Sequence, residues 1–274
     1  MFATLFYQHR NILIGVSAFF ILAAIGGAIA WQQYFRVPSE TAGILPPPAT
    51  PSAEPTPPPQ ALGGTAPAYT GIPVQNLNPS PDILKQVPAN TYERSRQELA
   101  ELAVSLAANP RDADGWMRVA YIKRFYGDYA GAAEAYEYVN RIAEGDGLSF
   151  FNLAGLYGYY LKEPAKAIAK YEAALQRDPM NSAYYSSFAD FYREVMGDLP
   201  AAERVLEQGL MKIPNEINLM ISYAALSETM GKVARAIEYY EKVLGVQTGA
   251  SAAMSAQQRA VIAAEVNRLK AQNP

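Results

Sequence analysis

The sequence predicts an all-α fold in which helical hairpins repeat along the chain, and two periodic patterns support this. A large residue returns at intervals of 34, 35 and 35 positions: Trp116, Phe150, Tyr185 and Met220. An alanine returns at intervals of 35, 35 and 34 positions: Ala132, Ala167, Ala202 and Ala236. A fixed period in this range is typical of stacked helical hairpins, which form a solenoid. We therefore predict a repeat domain over 90–274, with four hairpins at about 113–146, 147–180, 181–215 and 216–248.

The N-terminal residues 1–36 have the composition of a transmembrane anchor. No charge occurs between Asn11 and Phe35, and an apolar run of this length can cross a bilayer as one helix. A cleaved signal peptide is the alternative, since the small residues around Ala30 fit a cleavage site. Arg10 favours a cytoplasmic N-terminus. The expected location is the cytoplasmic (inner) membrane of a bacterium, single-pass, with the repeats on the extracytoplasmic (periplasmic) side.

Residues 37–89 are predicted to be a flexible, disordered linker. They contain fourteen prolines and four charged residues. Such a segment buries too little apolar surface to offset the entropy lost on ordering. Recruitment of a proline-reading domain is an alternative role for the same prolines.

The helix boundaries follow from apolar faces and turn residues. A capping helix is expected at 92–108, before the first hairpin. The predicted buried face of the first helices comprises Trp116, Val119, Ala120, Phe150, Leu153, Ala154, Tyr185, Phe188, Ala189, Met220, Tyr223 and Ala224. That of the second helices comprises Ala132, Tyr136, Val139, Ala167, Tyr171, Ala174, Ala202, Leu206, Gly209, Ala236, Tyr240 and Val243.

Glycines mark the turns between the two helices of a hairpin. Gly127, Gly197 and Gly231 stand where a left-handed residue ends a first helix. Asp128 and Asp198 then suit the N-cap of the second helix. In hairpins two and three, the alanine of the first helix and that of the second are one residue further apart in sequence than in hairpin one. We expect the additional residue in the turn.

A last helix is expected at 251–271. Its buried side would comprise Met254, Gln258, Val261, Ile262, Val266 and Leu269. Its more polar residues fall largely outside that side: Gln257, Glu265, Arg268 and Lys270. A terminal element of this kind covers the exposed end of a repeat stack.

At these positions the chain resembles the tetratricopeptide repeat (TPR) family. The match includes Trp116, Gly127-Asp128-Tyr129, Tyr171, Pro179 and Pro214, and it departs at Lys123, where the family usually has tyrosine. The resemblance implies peptide or protein binding in a groove lined by the first helices. The groove residues it implies are Met117, Tyr121, Arg124, Phe125, Phe151, Leu156, Tyr159, Tyr160, Ser186, Asp190, Arg193, Ile221, Ala225 and Glu228.

The groove chemistry implied by this resemblance is apolar. Family members that clamp a terminal carboxylate use lysine and asparagine where this chain has Met117 and Tyr121. The preferred partner is therefore an apolar or amphipathic protein segment.

Composition excludes several other functions. A net charge of −3 argues against a nucleic-acid partner. The absence of cysteine and the single histidine, His9, exclude a multi-histidine or thiolate metal site and a Ser-His-Asp triad in the repeats. We expect no enzyme activity, no cofactor and no small-molecule substrate.

Two hypotheses of function follow. The first is a membrane-tethered adaptor that holds a client protein. The run 106–116 is similar to the entry into the repeats of TPR proteins of cytochrome c maturation, which implies a role in assembling envelope proteins such as c-type cytochromes. The alternative is a permanent structural subunit of an envelope or secretion complex.

Overall fold

The computed structural model describes residues 66–143, 147–246 and 254–272. The predicted anchor, the first part of the predicted linker and the cleavage site at Ala30 lie outside these ranges. Within them every regular element is a helix, which confirms the all-α prediction. None of the described helices combines the length and the apolar character that a bilayer crossing requires.

The chain divides into two compact units, with the boundary between Pro214 and Asn215. The helices of the first unit are α1 (Pro81–Leu84), α2 (Ala89–Ala108), α3 (Ala113–Phe125), α4 (Tyr129–Ile142), α5 (Gly147–Gly155), α6 (Pro164–Arg177), α7 (Ser182–Phe191) and α8 (Leu199–Lys212). Those of the second are α9 (Ile217–Thr229), α10 (Val233–Gly245) and α11 (Ala256–Gln272). Hairpins one, two and three are α3–α4, α5–α6 and α7–α8, and hairpin four is α9–α10.

The predicted helix faces form the cores of these hairpins. All twelve first-helix residues of the predicted face are at most 7% exposed, and the second-helix alanines are fully buried. Small residues let the paired helices approach, while aromatic rings fill the space between them. The repeating hairpin that the TPR resemblance implies is therefore present.

The predicted roles of the turn glycines and capping aspartates are confirmed. Gly127, Gly197 and Gly231 have φ values of 77°, 65° and 72°, a region that side chains with a Cβ rarely adopt. Asp128 accepts a hydrogen bond from the Gly131 backbone N–H at 3.1 Å and thus caps α4. Asp198 caps α8 in the same way.

The extra residue in hairpins two and three lies inside the first helices, which corrects its predicted place in the turn. Leu156–Tyr160 continues α5 as a π-helical turn, and Tyr192–Met196 continues α7 in the same way. A π turn absorbs one additional residue within a continuous helix. The hairpin cores thereby keep their register on both sides of the insertion.

The linker prediction is corrected for residues 66–88. Residues 67–80, here called the strap, lie along hairpin one, and Val74 in the strap is buried. The short helix α1 follows, and Pro88 immediately precedes α2. The strap is ordered by hydrogen bonds to residues 47 to 71 positions away in the chain. A prediction from the local proline content alone does not take such contacts into account.

The second unit is closed by α11, which packs against α10. Ile262, Val266 and Leu269 are buried, as predicted, and Glu265, predicted to lie largely outside that side, is buried as well. Arg268 explains this because its guanidinium donates hydrogen bonds to both Glu265 and Glu228. The ion pairs supply the carboxylate of Glu265 with the partner that a buried charge requires.

Candidate protein-binding face

The candidate site is the side of α3, α5 and α7 that points away from their buried faces. Successive residues of an α-helix are turned by about 100°, so Met117, Tyr121 and Phe125 lie on a different side of α3 from Trp116 and Val119. The first-helix face, as used below, consists of Met117, Tyr121, Arg124, Phe125, Phe151, Tyr159, Tyr160, Asp190 and Arg193.

Hairpins one and two meet at Tyr121. Its hydroxyl oxygen accepts a hydrogen bond from Asn152 Nδ2 at 3.3 Å, and its ring stands nearly perpendicular to that of Tyr136, with 6.0 Å between centroids. One turn later, Phe125 lies edge-on to Tyr126, at 4.9 Å. Ring contacts therefore fix the orientation of two side chains that are 37% and 48% exposed.

Tyr160 adds a third exposed ring. It stacks on Tyr129, the first residue of α4, with 4.1 Å between centroids and 29° between planes, and it is 45% exposed. The π turn places Tyr160 here because the extra residue advances it around the helix axis. Tyr129 is a neighbour that sequence reasoning missed, although its position after Gly127-Asp128 repeats a motif of the family.

Arg124 contributes a positive charge beside these rings. Burial raises the pKa of the Tyr129 hydroxyl, as does the neighbouring Tyr160, while the charge of Arg124 opposes the shift. The same guanidinium opposes the larger rise that burial causes in the pKa of Tyr171. Arg124 is itself partly buried, so its charge is close to apolar surface.

The end of the face formed by hairpins two and three is polar, and its arginine is paired with two carboxylates. Arg193 pairs with Asp190 at 2.6 Å and with Glu194 at 2.8 Å. The Tyr159 hydroxyl donates to Glu194 Oε2 at 3.4 Å, and its ring lies 6.3 Å from that of Phe191. Burial, followed by the charges around it, raises the pKa of Tyr159 far above its usual value, so the hydroxyl stays protonated.

Three of the predicted groove residues offer little surface. Leu156 is 1% exposed, which corrects its assignment to the groove: it follows the buried Leu153 by three residues, and this spacing keeps both on one side of the helix. Met117 is 9% exposed. Phe151 is partly buried because it stacks on Tyr184 at 4.7 Å, within a core cluster.

The arrangement is suited to binding and has no grouping that would hold a metal. Among the described residues, no three aspartate, glutamate or histidine side chains are clustered closely enough to ligate an ion. The face offers three oriented aromatic rings, the adjacent cation of Arg124 and a polar end in which Arg193 is ion-paired.

Comparisons with known proteins give similarity to solved structures alone. No family model matches the chain, and no curated protein matches it. The structure of the MamA protein is similar at a TM-score of 0.47 and 18% identity, covering 60% of this chain and 87% of that one. YrrB, described as a TPR protein with an unusual peptide-binding site, has a TM-score of 0.46 and 13% identity over 65% of this chain and 86% of its own.

A third similar structure is PilW, described as a widely conserved type IV pilus biogenesis factor. Its TM-score is 0.47, with 16% identity over 70% of this chain and 84% of that one. At these values the similarity carries no argument about function. The hairpin architecture rests on the described helices themselves.

Proposed function

We propose that this chain is a protein-interaction scaffold that binds an apolar or amphipathic segment of another protein on its first-helix face. The observation that carries the proposal is the exposure of Tyr121, Phe125 and Tyr160 on neighbouring hairpins. Exposed aromatic clusters on soluble domains commonly mark interaction sites. Aromatic anchors also dominate the energetics of many interfaces.

Preorganisation supports the same function. Each exposed ring rests on a second ring, from Tyr136, Tyr126 or Tyr129. A partner therefore meets side chains that are already oriented, so less rotamer entropy is lost on binding than with flexible residues. The π turn that carries Tyr160 is a device often found at functional sites.

The charges of the face indicate the chemistry of the partner. Arg193 is paired with Asp190 and Glu194, and the charge of Arg124 acts on the Tyr129 hydroxyl at the aromatic end. An amphipathic segment with apolar side chains for the rings and one acidic group near Arg124 fits this pattern. The residues Met117 and Tyr121 do not supply the donors of a terminal-carboxylate clamp.

The proposal includes a membrane tether. The apolar run within residues 1–36 supports a single anchor with its N-terminus in the cytoplasm and the repeats on the extracytoplasmic side. In this arrangement the scaffold holds its client next to the membrane.

The test is affinity capture with the full chain in mild detergent, comparing wild type with a Phe125→Ala/Tyr160→Ala variant. These two rings are the most exposed of the three, so their removal disturbs the cores least. Met211→Ala is a matched control, since Met211 is 73% exposed on α8 and outside the face. Captured proteins are identified by mass spectrometry, and the affinity for the purified partner is then measured.

We expect the double variant to bind the partner at least about a hundredfold more weakly, with unchanged helicity by circular dichroism. Arg124→Ala should weaken binding a few-fold, and less at high salt. Normal binding by a folded double variant would exclude this face as the site. Recovery of one stoichiometric complex, without exchanging clients, would favour the structural-subunit hypothesis.

A further inference from the structure

Hairpin one holds the strap through the strap's main chain. The Tyr138 hydroxyl donates to the Pro67 carbonyl at 2.8 Å. The Ile72 N–H donates to Glu134 Oε2, and the Asn78 N–H donates to Asp128 Oδ2 at 3.3 Å. Tyr138 and Glu134 of α4, and Asp128 at its N-cap, thus bind main-chain groups along an irregular segment that forms neither helix nor strand, and peptide-binding sites use main-chain hydrogen bonds in the same way.

Residues of α3 continue this pattern. The Lys123 ammonium donates to the Asn76 carbonyl, and the Tyr126 carbonyl accepts from the Ser80 N–H at 2.7 Å. Lys123 replaces the tyrosine usual in the family, and it is fully buried beneath the strap beside Asp128. A buried ammonium requires hydrogen-bonding or charged partners. The main-chain carbonyl of the bound segment supplies one of them.

One side chain anchors the strap. The Tyr69 ring lies 4.4 Å from the ring of Trp116 and 5.4 Å from that of Tyr138, which themselves lie 4.4 Å apart. The Tyr69 hydroxyl donates to the Ile72 carbonyl at 2.9 Å, which tightens the bend of the strap.

Gly71 lies where an added Cβ would force the side chains of Glu134 and Tyr69 to shift. A Cβ at this position would stand 2.6 Å from Glu134 Oε2 and 2.7 Å from the Tyr69 hydroxyl oxygen. The close approach lets the carboxylate of Glu134 reach the next main-chain N–H. The site therefore favours a tyrosine followed two residues later by a glycine, in addition to binding main-chain groups.

This site is separate from the first-helix face. Trp116 and Lys123 are seven residues apart and share one side of α3. Tyr121 and Phe125 lie on another side of the same helix. The two sites therefore do not share a contacting side chain of α3.

We propose that hairpin one carries a second peptide-binding site, whose ligand is a segment with the pattern tyrosine, any residue, glycine, bent as the strap is, and that the strap is its exchangeable ligand in cis. The proposal is independent of the proposed function of the first-helix face. Because the strap is covalently attached, its effective concentration at the site is high, and it excludes free peptides of the same sequence. Weakening the strap opens the site to them.

The experiment uses the full chain in mild detergent with Gly71→Ala, which places a methyl group against Glu134. A fluorescent synthetic peptide of residues 66–80 with the natural sequence is the probe. We expect saturable binding to the Gly71→Ala chain at least about tenfold tighter than to wild type, where the strap competes. Peptides carrying Tyr69→Ala or Gly71→Ala should bind at least about tenfold more weakly than the natural one.

Strap release is monitored independently. The chain has two tryptophans, so a Trp31→Phe background leaves Trp116, which contacts Tyr69, as the only reporter. A changed Trp116 emission in the Gly71→Ala chain, reversed by the peptide, is the expected result. If the emission is unchanged, Tyr69→Ala/Gly71→Ala replaces the single variant.

Variants of hairpin one and of the first-helix face test where the peptide binds. In the Gly71→Ala background, Glu134→Gln should reduce peptide affinity, while Phe125→Ala/Tyr160→Ala should leave it unchanged. The second result separates this proposal from the first-helix face. A folded, strap-released chain that does not bind the peptide would overturn the proposal. Peptide binding to the wild-type chain that is as tight as binding to the Gly71→Ala chain would overturn it as well, and so would unfolding of every strap variant.

Discussion

Lys123 Nζ lies 3.4 Å from Asp128 Oδ2, and the two side chains are 0% and 3% exposed. Burial lowers the pKa of the Lys123 ammonium, although the carboxylate of Asp128 opposes this shift. Asp128 also caps α4 and accepts from the Asn78 N–H of the strap. One buried ion pair therefore connects the turn of hairpin one with the strap.

Removing Lys123 alone should be costly because it leaves a buried carboxylate without its cation. We expect Lys123→Met to lower the free energy of unfolding by about 3–5 kcal/mol. Lys123→Met/Asp128→Asn should lose less than this, since asparagine keeps the capping oxygen without the charge. Urea unfolding, followed by Trp116 emission in a Trp31→Phe background, measures both. An equal or larger loss in the double variant would contradict this account.

Gly158 is predicted to be intolerant of a methyl group. It lies in the π turn of hairpin two, where a Cβ would stand 2.7 Å from two ring carbons of the fully buried Phe191. Gly158→Ala should therefore cost about 1–3 kcal/mol through overpacking. Gly155→Ala is the matched control: nothing lies within 4 Å of its added Cβ, and alanine favours the helix by about 0.5–1 kcal/mol. Equal stability of the two variants by urea unfolding would contradict the close approach.

Glu228 should make the second unit less stable as the pH rises. Burial raises its pKa above the ordinary value near 4.5, although Arg268 opposes the shift. The folded state then binds this proton more tightly than the unfolded chain, so stability falls as pH rises from that value through the raised folded pKa.

Glu228→Gln, which mimics the protonated form, should be more stable than wild type at pH 7. This difference in the free energy of unfolding should disappear towards about pH 4–5. Urea unfolding at several pH values measures the difference. Glu238→Gln is the control, because Glu238 pairs with Lys242 on an exposed surface and exposed pairs contribute little. A pH-independent difference for Glu228→Gln would contradict the assigned sign.

Topology can be tested with a single cysteine, since the natural chain has none. Ser52→Cys should react with a membrane-impermeant thiol reagent in intact cells or spheroplasts, because the proposed anchor places this segment outside the cytoplasm. Labelling that requires lysis would contradict the topology. A mature N-terminus at Trp31, determined by mass spectrometry, would instead support a cleaved signal peptide.

The sequence by itself determined the hairpins, because each depends on interactions within about 35 residues. The buried faces recur with the repeat period, and a face of small and aromatic residues has one stable way to pack. Gly127 and Asp128 specify their turn through backbone conformation and a three-residue hydrogen bond. These are local rules, so the residues that obey them can be identified without coordinates.

Tertiary structure decided the rest. The strap resembles a flexible proline-rich linker in composition, and it is ordered because Lys123, Glu134 and Tyr138 bind its main chain across 47 to 71 residues. The number of residues in hairpin two is compatible with an extra residue in either the turn or the helix. Packing places it in a π turn beside Phe191. Contacts between elements distant in sequence determine both the order of the strap and the position of the extra residue. The physical reason is that the burial of a side chain depends on which elements pack against it.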